Sequence, residues 1–134
     1  MEKVKIGIVG TGFVGNLHGR IYAREDRAEI AALYDIIPER AEKTAKSIGG
    51  KVCASREELL DNCDAVLVCA PNRTHLEIAT AAVEAGKHVF CEKPVAVDAI
   101  GVRSVLETSE LAAKKNLSLV AGFCWRYSNY IQAA

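Results

Sequence analysis

The run VKIGIVGTGFVG, residues 4–15, decides the fold. Its opening VKIGIVG is mostly apolar, carries branched residues and ends in glycine, the composition of a strand buried on both faces of a parallel sheet. The GTGFVG that closes it, residues 10–15, has the spacing G-x-G-x-x-G. That spacing is weak alone and strong where it joins a first strand to a first helix. Gly10 permits the tight turn, Gly12 lets backbone approach a pyrophosphate, and Gly15 lets the helix lie close on its strand. The helix N-terminus adds unpaired N–H groups aimed at an anion.

Outward from this turn, Phe13, Val14, Leu17 and Ile21 recur at helical spacing, and EIAALYD at 29–35 returns to a strand, completing one βαβ unit. Pro38 suits the first turn of a second helix with Ala41, Ala45 and Ile48 on one face, and Gly49-Gly50 stops it. A short strand is expected at 51–53. Ser55 and Glu58 are spaced as a capping box for a small helix to about Asn62, and AVLVCA at 65–70 reads as a buried strand. Thr74 and Glu77 repeat the capping-box spacing before a helix to Ala85, stopped by Gly86. HVFC supplies a fifth strand, Asp98 caps a long helix to about Lys115 that Asn116 can end, and LSLVAG at 117–122 supplies a sixth. Regular alternation of strand and helix predicts an α/β Rossmann fold: a doubly wound parallel sheet with helices on both faces. Residues 1–122 are expected to form the dinucleotide-binding domain. In residues 123–134 a helical pattern begins near Ser128 and is cut off without cap or breaker, so a truncated chain is expected rather than a natural end.

Composition narrows the partners. The 134 residues suffice for one domain, half are hydrophobic, and 17 basic residues balance 17 acidic ones, which disfavours nucleic acid. No apolar stretch approaches ~18 residues, so no membrane association is expected and the chain reads as cytoplasmic. The five cysteines contain no C-x-x-C pair and sit in or beside apolar runs, and the three histidines are scattered, so no metal site is expected.

Three further stretches carry chemistry. Asp35, at the end of the second strand, is placed to accept hydrogen bonds from both ribose hydroxyls and to repel a 2′-phosphate. Ile36 and Ile37 bring no positive charge, although Arg40 stands one turn into the next helix, so NAD is favoured over NADP. CAPNRTH at 69–75 leaves the fourth strand where strand order reverses, so Ala70, Pro71 and Asn72 should line the crevice, with His75 a candidate for the nicotinamide side. With Gly10, Gly12, Phe13, Val14 and Gly15 of the first turn, these are the candidate cofactor contacts. Glu92 and Lys93 leave the fifth strand at the same sheet edge on opposite sides of an extended segment. A lysine there can move the proton that accompanies hydride transfer, provided desolvation and nearby positive charge tune it.

These residues resemble the Gfo/Idh/MocA oxidoreductases, a family called after glucose-fructose oxidoreductase, inositol dehydrogenase and a rhizopine-catabolism protein. IGIVGTGFVG, the acidic YD, VLVCAPNRTHLEIATAAVEAGKHVFCEKPVAVD and GFCWRY stand in the family's order and spacing across essentially the whole chain. The resemblance implies a dehydrogenase acting on a secondary alcohol of a sugar, polyol or related compound, with Lys93 catalytic and Glu92 touching the cofactor. It also implies a cis Lys93–Pro94 bond and cofactor-side contacts from Trp125 and Arg126 near a domain junction. Family members continue into a second, mostly antiparallel domain that forms most of the substrate pocket and mediates homo-oligomers, and this domain is absent from the present sequence. The proline that relatives often carry after WRY is replaced by Asn129. A regulatory protein sensing dinucleotide or sugar on the same fold is the alternative.

Overall fold

The computed structural model describes residues 2–133. Strand β1 (Val4–Val9) leads into helix α1 (Phe13–Tyr22), then β2 (Ala28–Tyr34), α2 (Pro38–Ile48), β3 (Lys51–Val52), α3 (Arg56–Asp61) and β4 (Ala65–Val68). A 3-10 turn (Asn72–Thr74) precedes α4 (His75–Glu84), followed by β5 (His88–Cys91), α5 (Ala99–Lys114) and β6 (Leu119–Ala121). A second 3-10 turn (Cys124–Tyr127) and a short α6 (Asn129–Gln132) close the described chain. The six strands form one sheet in the order β3-β2-β1-β4-β5-β6, with every pairing parallel. β1 therefore lies between β2 and β4, and the point of reversal falls at the carboxyl ends of β1 and β4.

Local chemistry explains most element ends. Pro38 opens α2 at its first turn, and Gly49 and Gly50, at φ +81° and +93°, end it. The Ser55 side chain accepts from the Glu58 N–H at 3.1 Å, and the Asp98 side chain accepts from the Gly101 N–H at 2.6 Å. Gly86 and Asn116 adopt the left-handed conformation after α4 and α5.

The second capping box does not form. The Thr74 hydroxyl instead donates back to the Pro71 carbonyl across the 3-10 turn, and Glu77 pairs with Arg56. The expectation for α1 also needs correction. Gly15 and Gly19 face the sheet, while Phe13 is 86% exposed and Leu17 and Ile21 are exposed with it. Small residues define the buried side because the helix backbone comes close: a Cβ on Gly19 would stand 2.5 Å from Ile48 and 3.1 Å from Ile8.

Both faces of the sheet are covered, as near-continuous apolar strands require. Along β4, Val66 and Val68 point to the layer containing Leu59, Ile78, Ala82 and Val83, and Leu67 points to the layer of Ile6, Ile8, Leu33 and Ala41. Full burial of a side chain such as Leu59 or Val68 stabilises by about 1.5–3 kcal/mol.

Four cysteines belong to these layers or their margins, and only Cys124 is exposed. Burial pushes the thiols of Cys69 and Cys91 up to about 12 and that of Cys63 to about 11. Thiolate is the reactive form, so the expected result of iodoacetamide treatment of the native chain near about pH 8 is one adduct, on Cys124. Mass spectrometry checks this, and adducts on Cys69 or Cys91 without denaturant would contradict the burial.

Candidate functional site

The three loops that leave β1, β2 and β4 meet at one edge of the sheet, tied by backbone hydrogen bonds from Gly10 N–H to the Tyr34 carbonyl and from Cys69 N–H to the Val9 carbonyl. Gly10, at φ +90°, passes so near the β4 loop that a Cβ would lie 2.6 Å from the Ala70 nitrogen. Gly15 sits beneath the turn, where a Cβ would lie 1.9 Å from the Gly10 oxygen. Gly12 differs from both, since a Cβ there would meet nothing within 4 Å. It opens onto a crevice of about 540 Å³ whose lining includes Phe13, Val14, Asp35, Ala70 and Pro71.

Asp35 is 8% exposed and already satisfied in part. Its Oδ2 accepts from the Thr11 N–H at 2.8 Å and the Thr11 hydroxyl at 3.1 Å, and its Oδ1 accepts from the Ile37 N–H at 2.9 Å. The carboxylate thus braces the glycine turn while lining the crevice. An ionised carboxylate has about four acceptor positions, so room for a further donor is left. Arg40 lines the same crevice, and it also borders a groove of about 690 Å³ between α1 and α2 with Arg20 and Lys43. Arg56 and Glu77, 2.6 Å apart, form part of the crevice wall together with Arg73 and Thr74.

The remaining candidates lie outside this crevice. Asn72 is exposed in the 3-10 turn and is not among the lining residues. His75, expected on the nicotinamide side, turns inward instead: it is 2% exposed, with both ring nitrogens on backbone carbonyls. Glu92, expected to be free for a ligand, has its Oε1 2.7 Å from Nε2 of His18 on α1, and Gly122 packs against its side chain. Lys93 is exposed, takes part in none of the four ion pairs among the described residues, and precedes a cis bond to Pro94. Trp125 is 72% exposed, and the Arg126 guanidinium lies 5.7 Å over the Phe123 ring, so both stand on the segment after β6 and do not reach the crevice. No cluster of three or more metal-ligating side chains occurs among the described residues. No helix there is long and apolar enough to cross a membrane.

Sequence reasoning missed His18 and Thr11. The signal for His18 was the Gly15-x-x-x-Gly19 spacing, which marks the buried side of α1 and places His18 beside it.

Strand order, the glycine turn and the strand-end carboxylate define a dinucleotide-binding Rossmann domain. Comparison with known proteins gives the particular family: residues 4–123 match the Gfo/Idh/MocA family, described as an oxidoreductase family with an NAD-binding Rossmann fold, and the chain belongs to it. The chain is 34% identical to glucose-6-phosphate 3-dehydrogenase of Bacillus subtilis over 95% of its length, and 37% identical to inositol 2-dehydrogenase of Cereibacter sphaeroides over 92%. It spans only 35% and 37% of those two proteins. Scyllo-inositol dehydrogenase from Lactobacillus casei, solved with bound NAD(H) and scyllo-inositol, superposes with a TM-score of 0.87 at 29% identity. That likeness covers 98% of this chain and 39% of the other.

The open space at Gly12 fits a pyrophosphate and the Asp35 carboxylate fits a ribose diol, so the residues present suit NAD. A Gly12→Ala change should leave the fold nearly intact, because its φ of −66° suits alanine and nothing is struck. It should weaken NAD binding about 10–100-fold by displacing charge-assisted hydrogen bonds to the phosphates. Isothermal titration calorimetry with a thermal melt separates the two effects; unchanged affinity would mean that the glycine turn is not the phosphate cradle.

Proposed function

We propose that this chain is the cofactor-binding part of an enzyme that moves a hydride between NAD and a secondary alcohol of a sugar, polyol or related compound. The observation that carries this reading is an exposed lysine just after β5 that forms no ion pair among the described residues, on the sheet edge where the Gly12 opening and Asp35 also lie. The names of the relatives, inositol and sugar-phosphate dehydrogenases among them, support the substrate class. Residues 1–122 are the dinucleotide-binding unit, and 123–134 lead toward a further domain. The relatives' remaining length is where we place the groups that grip the substrate and join subunits.

Bound NAD supplies the hydride acceptor or donor. Gly12 leaves room for the phosphates, and backbone N–H groups at the start of α1 face them. Asp35 accepts from the ribose hydroxyls while holding Thr11 in place. In alcohol oxidation Lys93 Nζ takes the hydroxyl proton as the carbon gives up its hydride, and in the reverse direction it returns that proton to the oxygen. Glu92, held by His18, fixes the backbone from which Lys93 projects.

The test is an NAD-reduction assay of the full-length protein against inositols, sugars and sugar phosphates, with an NAD titration of the present chain alongside. Turnover with at least one of these compounds and binding by the chain are expected. Binding without any turnover would favour a sensor of dinucleotide or sugar instead.

A further inference from the structure

His75, the first residue of α4, is buried at 2% exposure, yet both of its ring nitrogens point at oxygens that can only accept. Nδ1 is 2.8 Å from the Pro94 carbonyl and Nε2 is 2.6 Å from the Ala70 carbonyl. A neutral imidazole has one N–H, and only the imidazolium has two. With one proton, a lone pair would face a carbonyl oxygen at hydrogen-bonding distance with little water to intervene, an unfavourable arrangement in a buried site. The positive end of the α4 dipole opposes a cation at this position, but one helix end weighs less than two charge-assisted hydrogen bonds.

The acids in the first turn of α4 and on the adjoining β5–α5 segment are occupied elsewhere. Glu92 is held by His18, Glu77 by Arg56, and Asp98 by the Gly101 N–H, while Lys93 on the adjoining loop is itself a cation. The carbonyl dipoles of Ala70 and Pro94 are therefore the partners that compensate the ring.

Those carbonyls belong to two loops that the sheet no longer joins. The β4–β5 ladder ends at Val68 and Cys91, with one more bond from Glu92 N–H to the Val68 carbonyl, and beyond it the chains diverge. Ala70 borders the crevice on one side, and Pro94 follows Lys93 on the other. We propose that His75 is a positioning residue: a buried imidazolium that clamps these two loops together and so sets where Lys93 stands relative to the crevice. This rests on reading the crevice as the NAD site.

The test has two arms. In the first, 15N–1H correlation spectra of the unsubstituted chain at neutral pH should show protons on both ring nitrogens of His75; a single protonated ring nitrogen overturns the proposal. In the second, turnover and NAD affinity of the full-length protein are compared with those of its His75→Phe variant, which keeps a ring but removes both donors. The expected result is a fall of at least about tenfold in turnover with NAD affinity changed by less than about twofold, the same split expected for loss of Lys93. Parallel falls in turnover and affinity mean a general structural role and overturn the proposal. If the unsubstituted protein neither binds NAD nor turns over a substrate, the proposed function fails instead. In that case, or if the variant does not fold, the ring spectrum alone decides whether the clamp exists.

Discussion

Replacement of Lys93 by alanine in the full-length protein is expected to lower turnover about 10²–10⁴-fold while NAD affinity changes little, because proton transfer by a placed side chain contributes on that scale. The structure isolates the effect. Lys93 is exposed, forms no ion pair among the described residues and fills no core, so its loss leaves neither a cavity nor an unpaired charge. The backbone around it is kept by other groups, with Glu92 on His18 and Pro94 on His75. Lys93→Arg should be nearly as inactive, since guanidinium keeps its proton at any working pH. Steady-state kinetics beside calorimetric NAD titration decides the matter. Parallel falls in turnover and affinity would make Lys93 a binding residue.

Gly15→Ala is expected to have the largest effect on stability. A Cβ there would lie 1.9 Å from the Gly10 carbonyl oxygen and 3.0 Å from its carbon. Both are backbone atoms of a turn that is itself pressed against Ala70 and Cys69, so nothing flexible can give way. Overpacking typically costs about 1–3 kcal/mol, and contact with immobile backbone places this case at or above the top of that range. Calorimetry should record a fall of roughly 10 °C or more in Tm, or no cooperative transition. The contrast with Gly12→Ala is the informative part: two glycines of one motif, one expected to matter to the fold and the other to the ligand. A Gly15→Ala chain that melts like the parent would mean that α1 can move away from β1.

Strand order and most element ends could be read from the residues because their causes are local. Pro38, Ser55, Asp98, Gly86 and Asn116 act within a few positions of themselves. The orientation of α1 could not, because what buries Gly15 and Gly19 is backbone and side chains supplied by Gly10, Ile48 and Ile8. Thr74 misled for a related reason: a capping box and a 3-10 turn begin with the same residue types, and Pro71 settles the choice. At the crevice, the placement of the glycine turn and Asp35 was legible, since each stands where its strand ends. The bond between His18 and Glu92 spans 74 residues and that between His75 and Pro94 spans 19, and no spacing rule announces either. Thr11 stood in the motif itself as an unspecified position, yet it is the partner that Asp35 holds.

The strand pairing Ile6 with Ala65 and Val9 with Val68 has a kinetic consequence. Other neighbouring strands are bridged by a single short excursion of the chain, but β1 and β4 can meet only after everything from α1 to α3 has been accommodated. Closing so long a loop consumes entropy before any contact rewards it, so this zipper shuts late and slowly. The cleft exists only across that seam, with Asp35 on one bank and Pro71 on the other. A nucleotide seated there would grip both banks only after they have met, and it would therefore prolong the life of the folded molecule without hastening its birth.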